Sequence, residues 1–331
     1  MKVSVCIPTY NHVKYSVQCI EGVLMQQTDF DYEVLVGEDD SSDGTREICK
    51  EYAAKYPNRI RLFLNDRKNV IYISGRPTGR WNFINLLKNA KGKYIALCEG
   101  DDYWTDPYKL QKQVDFLESH PDCAICFHAF QKSFESVNRE PETCFPPGRK
   151  EIYTLDDFLR CSFIGTLTAV YRRGLFGDFP EWYFKMPQGD WALHVLNAQH
   201  GDIGYIDEVM AVYRIHGGGA WSSMDLMSIF KKSIKSYQMI NPYLAKRHQE
   251  INMSTCLLSC YELANLYTER GDKKNARLYF KKCLTMWQHS KNGRFNLLIL
   301  FFRLYLPRLW KLMVRLKHYL DYKDSKNCAL P

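Results

Sequence analysis

The 331 residues hold no apolar run near the roughly 20 that a membrane-spanning helix requires. The nearest approach, Phe295 to Tyr305, is interrupted by Arg303 and followed by Pro307, so the chain is expected to be soluble or at most surface-bound. MKVSVCIPTYN runs straight into the first strand candidate, so no secretory leader is expected. Zinc-finger and RNP patterns are missing, and Cys123-Ala-Ile-Cys126 is a lone CxxC without a second pair, so neither a zinc site nor a nucleic-acid partner is expected. The Gly-rich, Lys- or Arg-bearing phosphate loop that a nucleotidyltransferase usually brings after its first strand is missing too, and Pro8-Thr-Tyr-Asn-His stands there instead. Twelve cysteines are many, but they are scattered over a chain too long to need covalent staples, which predicts reduced thiols and a cytosolic compartment. Cys6, Cys19, Cys49 and Cys98 read as buried small hydrophobes.

What is present suffices for one large core or two modest ones: 46% hydrophobic, 25% charged and 14% aromatic residues. A disordered tail, a collagen and a disulfide miniprotein are excluded. The net charge of +8 suits polyanions, an anionic membrane surface or phosphorylated substrates, without choosing among them.

From the start to about Ala220, short apolar strands alternate with amphipathic stretches. Val3 to Pro8, Tyr32 to Val36, Ile60 to Leu64, Tyr94 to Cys98, Cys123 to Phe130 and Ile203 to Tyr213 read as strands. Tyr15 to Gln27, Thr45 to Tyr56, Trp81 to Ala90, Pro107 to Ser119, Asp156 to Cys161 and Met186 to Ala198 read as helices, with a loop at Asn138 to Lys150. That rhythm argues a parallel sheet with helices on both faces, whose ligands bind beyond the carboxyl ends of the strands. From about residue 222 the pattern turns almost wholly helical, and a boundary is expected there, between domains 1–221 and 222–331. Tyr261 to Asp272 and the residues to Leu284 have the spacing of a helical hairpin turning on glycine. The stretch at about 257–287 resembles a single tetratricopeptide unit. Phe295 to Leu320 mixes apolar residues with Arg294, Arg303, Arg308, Lys311, Arg315 and Lys317. It reads either as a basic amphipathic helix on an anionic membrane or as a terminal helix docked on its own protein.

Three acidic features follow the strands. Glu38-Asp39-Asp40-Ser41-Ser42-Asp43-Gly44-Thr45 can be an ordinary strand-to-helix loop with Asp43 as cap, yet three consecutive carboxylates repel one another and point to a site. Glu99-Gly100-Asp101-Asp102-Tyr103-Trp104 offers carboxylates separated by a small residue, suited to Mg²⁺ or Mn²⁺ held jointly with substrate phosphates. Met186-Pro-Gln-Gly-Asp190 offers either a helix cap or a general base.

Together with Val5-Cys-Ile-Pro-Thr-Tyr-Asn, these segments resemble, over residues 1–221, the family 2 glycosyltransferases of bacterial surface-polysaccharide type. The resemblance implies the GT-A fold, an α/β architecture with a mixed, mostly parallel sheet. It further implies an inverting enzyme that moves a sugar from a nucleotide donor, expected to be a UDP-sugar, to a saccharide or lipid-linked saccharide acceptor. By resemblance, Pro8, Thr9, Tyr10 and Asn11 line the nucleotide base, and Asp39 bonds it with Glu38 alongside. Arg80 and Asn82 approach the donor, and Asp101 and Asp102 hold the metal and the ribose-diphosphate. Asp190 is the catalytic base, although many relatives carry Glu-Asp where this chain has Gly189-Asp190. Glu99 replaces the first aspartate of the metal motif. His216, in Tyr213-Arg-Ile-His-Gly-Gly-Gly-Ala-Trp, is a metal or diphosphate ligand on a mobile loop or else structural. Trp104 and Trp221 are acceptor-side candidates, with Trp221 stacking on a sugar or lying buried. The enzyme is expected in the cytoplasm, peripheral on the inner face of the membrane. A non-catalytic carbohydrate-binding protein would account for the aromatics but not for acids at the strand ends.

Overall fold

The computed structural model describes residues 1–135, 137–219, 224–287, 293–306 and 308–309. The chain divides into two compact units, Met1–Met224 and Asp225–Pro331. In the first, chain order is β1 (Val3–Thr9), α1 (Ser16–Leu24), β2 (Tyr32–Glu38), α2 (Thr45–Lys55), β3 (Ile60–Leu64), β4 (Ile71–Ile73), β5 (Arg76–Thr78), α3 (Arg80–Asn89), β6 (Tyr94–Leu97), β7 (Tyr103–Trp104), α4 (Lys109–Ser119), β8 (Cys123–Phe134), β9 (Glu142–Cys144), β10 (Ile152–Tyr153), α5 (Leu155–Arg160), β11 (Val170–Arg172), α6 (Gly189–Ala198) and β12 (Asp202–Ile215).

The main sheet runs β10-β12-β8-β11-β6-β1-β2-β3, with β7 added to β12 and β9 to β8. Strands β3, β2, β1 and β6 are parallel, as are β8 and β12. Only short strands oppose this direction. Among them β11 sits antiparallel between β6 and β8. Its three residues are too few to carry a periodic signature, which is why strand-helix alternation alone argued a parallel sheet. The mixed, mostly parallel sheet of the GT-A fold is what the chain adopts. The central strands are covered on both faces and therefore read as continuous apolar runs rather than alternating ones. Val5, Cys6 and Ile7 on β1 and Val34, Leu35 and Val36 on β2 are each at most 1% exposed. Each large aliphatic side chain so buried contributes about 1.5–3 kcal/mol.

The second unit consists of α7 (Leu226–Ile240), α8 (Lys246–Glu269), α9 (Lys273–Met286) and α10 (Gly293–Tyr305). Asp225 caps α7 by accepting the Met227 and Ser228 N–H groups, and Asp272 caps α9 by accepting that of Asn275. Helices α8 and α9 form a hairpin through Gly271, at φ 76°. Cys256, Cys260, Leu263, Ala264, Phe280, Cys283 and Leu300 supply its core. Among the described residues no helix is long and apolar enough to cross a membrane. Trp221 and most of the basic terminal stretch, including Lys311, Arg315 and Lys317, lie outside the described residues.

At the amino end of the sheet, Glu33 joins three segments. Its carboxylate accepts Ser4 Oγ at 2.7 Å, the Lys91 N–H at 2.9 Å and Arg61 Nη1 at 2.8 Å. Burial opposes its charge, but the bonds from Arg61, Ser4 and the Lys91 backbone outweigh burial and hold it below the ordinary glutamate range. A carboxylate depressed in the folded state adds stability above its unfolded pKa and loses it as pH falls through the folded one. Glu33→Gln should therefore lower unfolding free energy by about 2 kcal/mol at neutral pH. In acid the difference from wild type should shrink away. Urea melts at both pH values check this, and a pH-independent gap would contradict it.

Candidate active site

Strands β1, β2 and β6 end side by side, and backbone bonds tie their loops into one rim. The Asp39 N–H donates to Thr9 O at 3.1 Å, and the Gly100 N–H to Pro8 O at 3.0 Å. Residue 100 must be glycine because a Cβ there would stand 2.5 Å from Thr9 Oγ1. The same close approach brings the acidic turn after β6 against the end of β1.

The first two loops are laced together. The Asn11 N–H donates to Ser41 Oγ at 2.9 Å, and Asn11 Oδ1 accepts the Ser42 N–H at 3.0 Å. The His12 N–H donates to Thr45 Oγ1 at 2.8 Å and that of Val13 to Asp43 Oδ2 at 3.0 Å. Gly44 is the N-cap of α2, while Asp43 Oδ1 accepts the Thr45 N–H and hydroxyl. The mutual repulsion of the acidic run is answered by two arginines. Glu38, fully buried, accepts Arg46 Nε and the Ser41 N–H, and Asp40 pairs with the same Arg46 at 3.2 Å. Asp39, 3% exposed, lies 3.4 Å from Arg67 Nη1. Burial pushes its carboxyl up while Arg67 draws it back. The Arg67 guanidinium also lies over the Tyr10 ring at 4.4 Å, and Tyr10 is 40% exposed. An acid, a cation and an aromatic face thus stand together at the open rim, with Thr9 Oγ1 near His12 Nδ1 at 3.3 Å behind them.

The turn after β6 meets the end of β12. Asp101 Oδ2 lies 3.1 Å from His216 Nε2 and 3.7 Å from His12 Nε2. Burial works against the Asp101 charge, but the His216 bond and the nearby His12 outweigh it and hold the carboxyl below its usual range. Burial pushes His12 down. The His216 ring packs on Tyr15 at 4.7 Å. Arg214 lashes the turn in place. Its N–H donates to Asp102 Oδ1 at 2.8 Å, Nη1 to Asp101 O at 2.6 Å and Nη2 to Gln18 Oε1, with Tyr103 and Tyr15 beneath the guanidinium.

The third acid arrives from α6. Asp190, solvent-exposed in its first turn, accepts Thr166 Oγ1 on Oδ2 at 3.2 Å and the Trp191 N–H on Oδ1 at 2.8 Å. Burial, then the charges of Asp101 and Asp190, push the Glu99 carboxyl well above its usual range. Burial, and then the charges of Glu99, Asp102, Asp101 and Asp190, push the Tyr213 phenol up.

Several expected site residues are committed elsewhere. Arg80 is buried beneath the lead into α6, donating to Tyr183 O at 2.6 Å and Met186 O at 2.9 Å, with its guanidinium over the Tyr183 ring. That guanidinium fills the space beside Gly189, where a Cβ would stand 2.3 Å from Nη2. Asn82 is an internal strut, donating to Gly37 O at 2.7 Å and accepting Asn65 Nδ2 at 2.8 Å. Trp104 is core, 1% exposed, with Nε1 on Leu167 O and Lys109 Nζ over its ring at 3.9 Å. Asn11 laces loops, and Glu38 is spent on Arg46. Asp102 faces the backbone of Arg214, its second oxygen buried without a hydrogen-bond partner, and burial with Asp101 and Glu99 pushes its carboxyl well up. The described bonds of these groups hold the rim together, while the second oxygen of Asp102 is left without a hydrogen-bond partner.

Sequence reasoning missed Arg67, Thr166, His12 and Arg214. Arg67 was accessible in principle, since Asp66-Arg67-Lys68 follows β3 and β3 ends on the same rim. For a metal, Asp101 and His216 stand side by side as an oxygen and an imidazole donor. The carboxylate suits Mg²⁺ or Mn²⁺, and the imidazole favours manganese of the two. Among the described residues no three His, Cys, Asp or Glu side chains are grouped into a ready-made metal site.

Residues 4–179 match the family described as glycosyl transferase family 2. An uncharacterized protein of Mycobacterium tuberculosis H37Rv is 39% identical over 218 residues, covering 65% of this chain and 59% of the relative. The chain therefore spans about three-fifths of the length of that curated relative. A putative teichuronic acid biosynthesis glycosyltransferase of Bacillus subtilis is 28% identical over 214 residues, 64% of this chain and 79% of the relative. Among solved structures, S. aureus TarS 1–349 aligns with TM-score 0.60 at 19% identity, over 92% of this chain and 87% of the other. A mannosyltransferase of Pyrobaculum calidifontis in complex with GDP-Man and Mn²⁺ aligns with TM-score 0.51 at 16% identity, over 94% and 87%. At these identities the structural likeness is one of fold. The match across more than half of the chain, on the fold and rim described, makes this protein a member of glycosyltransferase family 2.

Proposed function

We propose that the protein is an inverting glycosyltransferase that moves a sugar from a UDP-sugar to a hydroxyl of a saccharide or lipid-linked saccharide, in the assembly of a cell-surface glycan. The observation that supports this reading most is the backbone joining of the loops after β1, β2 and β6, which carry Asp39 and Asp101, into one rim, with Asp190 exposed in the first turn of α6. The name of the Bacillus subtilis relative supports a surface-polysaccharide acceptor, and fold neighbours solved with UDP-GlcNAc or GDP-Man support a nucleotide-sugar donor.

In this reading Asp39, Arg67 and Tyr10 receive the base, the acid accepting a ring N–H while the aromatic face covers the ring, with Pro8 and Thr9 as the floor. Asp101 meets the ribose and diphosphate. Asp101 and His216 would hold a divalent cation, which supplies positive charge against the departing diphosphate when bound. Asp190 takes the proton of the acceptor hydroxyl as that oxygen bonds to the anomeric carbon. The bond from that carbon to the diphosphate breaks, and the nucleoside diphosphate leaves with the electron pair. One displacement inverts the configuration. Thr166 and the Trp191 N–H orient the base, and Arg80 braces the segment that carries it. The enzyme works in the cytoplasm, peripheral on the inner face of the membrane.

Asp190→Asn should reduce sugar transfer by about a thousandfold while UDP binding stays near wild type. Comparable turnover in the variant would remove Asp190 from its role. Asp101→Ala should abolish the part of UDP affinity that depends on Mn²⁺, read by calorimetric titration with and without the ion, and unchanged tightness in Mn²⁺ would contradict the metal assignment. Arg67→Ala should weaken UDP binding about tenfold with little change in turnover at saturating donor. A fall in turnover alone would place Arg67 outside the nucleotide clasp.

A further inference from the structure

The net charge of +8 conceals a sharp division. Residues 1–224 carry 25 Lys+Arg against 30 Asp+Glu, whereas residues 225–331 carry 20 against 7, so the first unit is acidic at −5 and the second strongly basic at +13. Within the second unit, α10 has two apolar stripes, one buried and one only partly packed, through the Phe301 and Tyr305 rings on Phe280 of α9. Leu297, Leu300 and Leu304 recur at i, i+3 and i+7 and are at most 5% exposed. Leu298, Phe301 and Tyr305 repeat the same spacing one residue on, and lie 51%, 39% and 36% exposed. A helix that only closed its own bundle would carry polar residues on that outer stripe.

The cations stand beside it. On α9, Lys273, Arg277 and Lys281 recur every fourth residue and are all exposed. The two stripes are contiguous, because the Arg277 guanidinium lies over the Tyr305 ring at 5.1 Å and Tyr305 stacks on Phe301 at 5.2 Å. Leu278 and Leu284 extend the exposed apolar surface along α9. Leucine and aromatic rings flanked by lysine and arginine are the chemistry of an anionic bilayer interface. Rings and aliphatic chains enter the headgroup boundary while the cations pair with lipid phosphates. A soluble polyanion would use the cations but leave the apolar stripe in water.

We propose that the α9–α10 face is a docking surface for an anionic lipid leaflet. This deepens the proposed function by naming its membrane partner, and it rests on that reading only for the acceptor. The positive helical unit is drawn to the membrane, and the acidic transferase unit is not.

The test uses the full chain and sedimentation with phosphatidylcholine vesicles, with and without phosphatidylglycerol. Wild type should pellet with the anionic vesicles and not with phosphatidylcholine alone. The variant Lys273→Glu/Arg277→Glu/Lys281→Glu should bind about a hundredfold more weakly. Leu298→Gln/Phe301→Gln should lose the binding that survives in high salt, since its cations remain. Both variants should keep wild-type nucleotide-sugar turnover in solution, which also reports that they fold. If the charge-reversed variant pellets like wild type, or wild type ignores anionic vesicles, the surface is wrong. If Leu298→Gln/Phe301→Gln instead converts a dimer to a monomer without affecting pelleting, the face joins copies of the chain and the proposal falls. Should vesicle binding behave as expected while no nucleotide sugar is turned over, the transferase reading fails and the docking surface stands.

Discussion

Seven carboxylates, Glu38, Asp39, Asp40, Glu99, Asp101, Asp102 and Asp190, are gathered at or near one rim of a largely parallel sheet, and the local architecture follows from keeping them there. Like charges in a poorly solvated space repel strongly, so each needs its own compensation. Arg46 answers Glu38 and Asp40, Arg67 answers Asp39, and His216 answers Asp101. Asp102 is satisfied on one oxygen by a backbone N–H. Burial and the neighbouring acids push the Glu99 carboxyl well upward. The rim therefore holds acids in different electrostatic states, with Asp190 the one most open to solvent.

Compensation and positioning use the same side chains. Arg214 is a strut for the turn that holds Asp101 and Asp102, reaching it with both backbone and guanidinium. Arg80 does the corresponding work for the segment leading into α6, with its buried guanidinium on Tyr183 O and Met186 O. Gly100 and Gly189 make these approaches sterically feasible. Each lies where a Cβ would collide with a neighbour that is itself fixed by hydrogen bonds. The absence of a side chain at residue 189 is matched by the Arg80 guanidinium that fills the space.

Much of the fold was legible because its signals are local. The buried runs of β1 and β2, the periodic faces of α1 and α4 and the all-helical second unit need only period and composition to be seen. The antiparallel β11 and the β4–β5 hairpin were not legible, being three residues each and defined by their pairing partners. At the site, the acidic segments stood out by charge and by position after strands. The bonding partners of Arg80, Asn82 and Trp104 did not, because each is met at long range in the sequence.

The order of strands and helices, the acidic ends of the strands and the charge division between the two halves of the chain are properties of the sequence itself, since each depends on near neighbours or on a sum. Which acids share a space, which arginine answers each of them and which aromatic is core were decided by tertiary structure. Those outcomes depend on contacts between residues up to about a hundred positions or more apart, as between Asp101 and His216 or Arg80 and Met186. Such pairings are set by sheet order and burial, which no local pattern encodes.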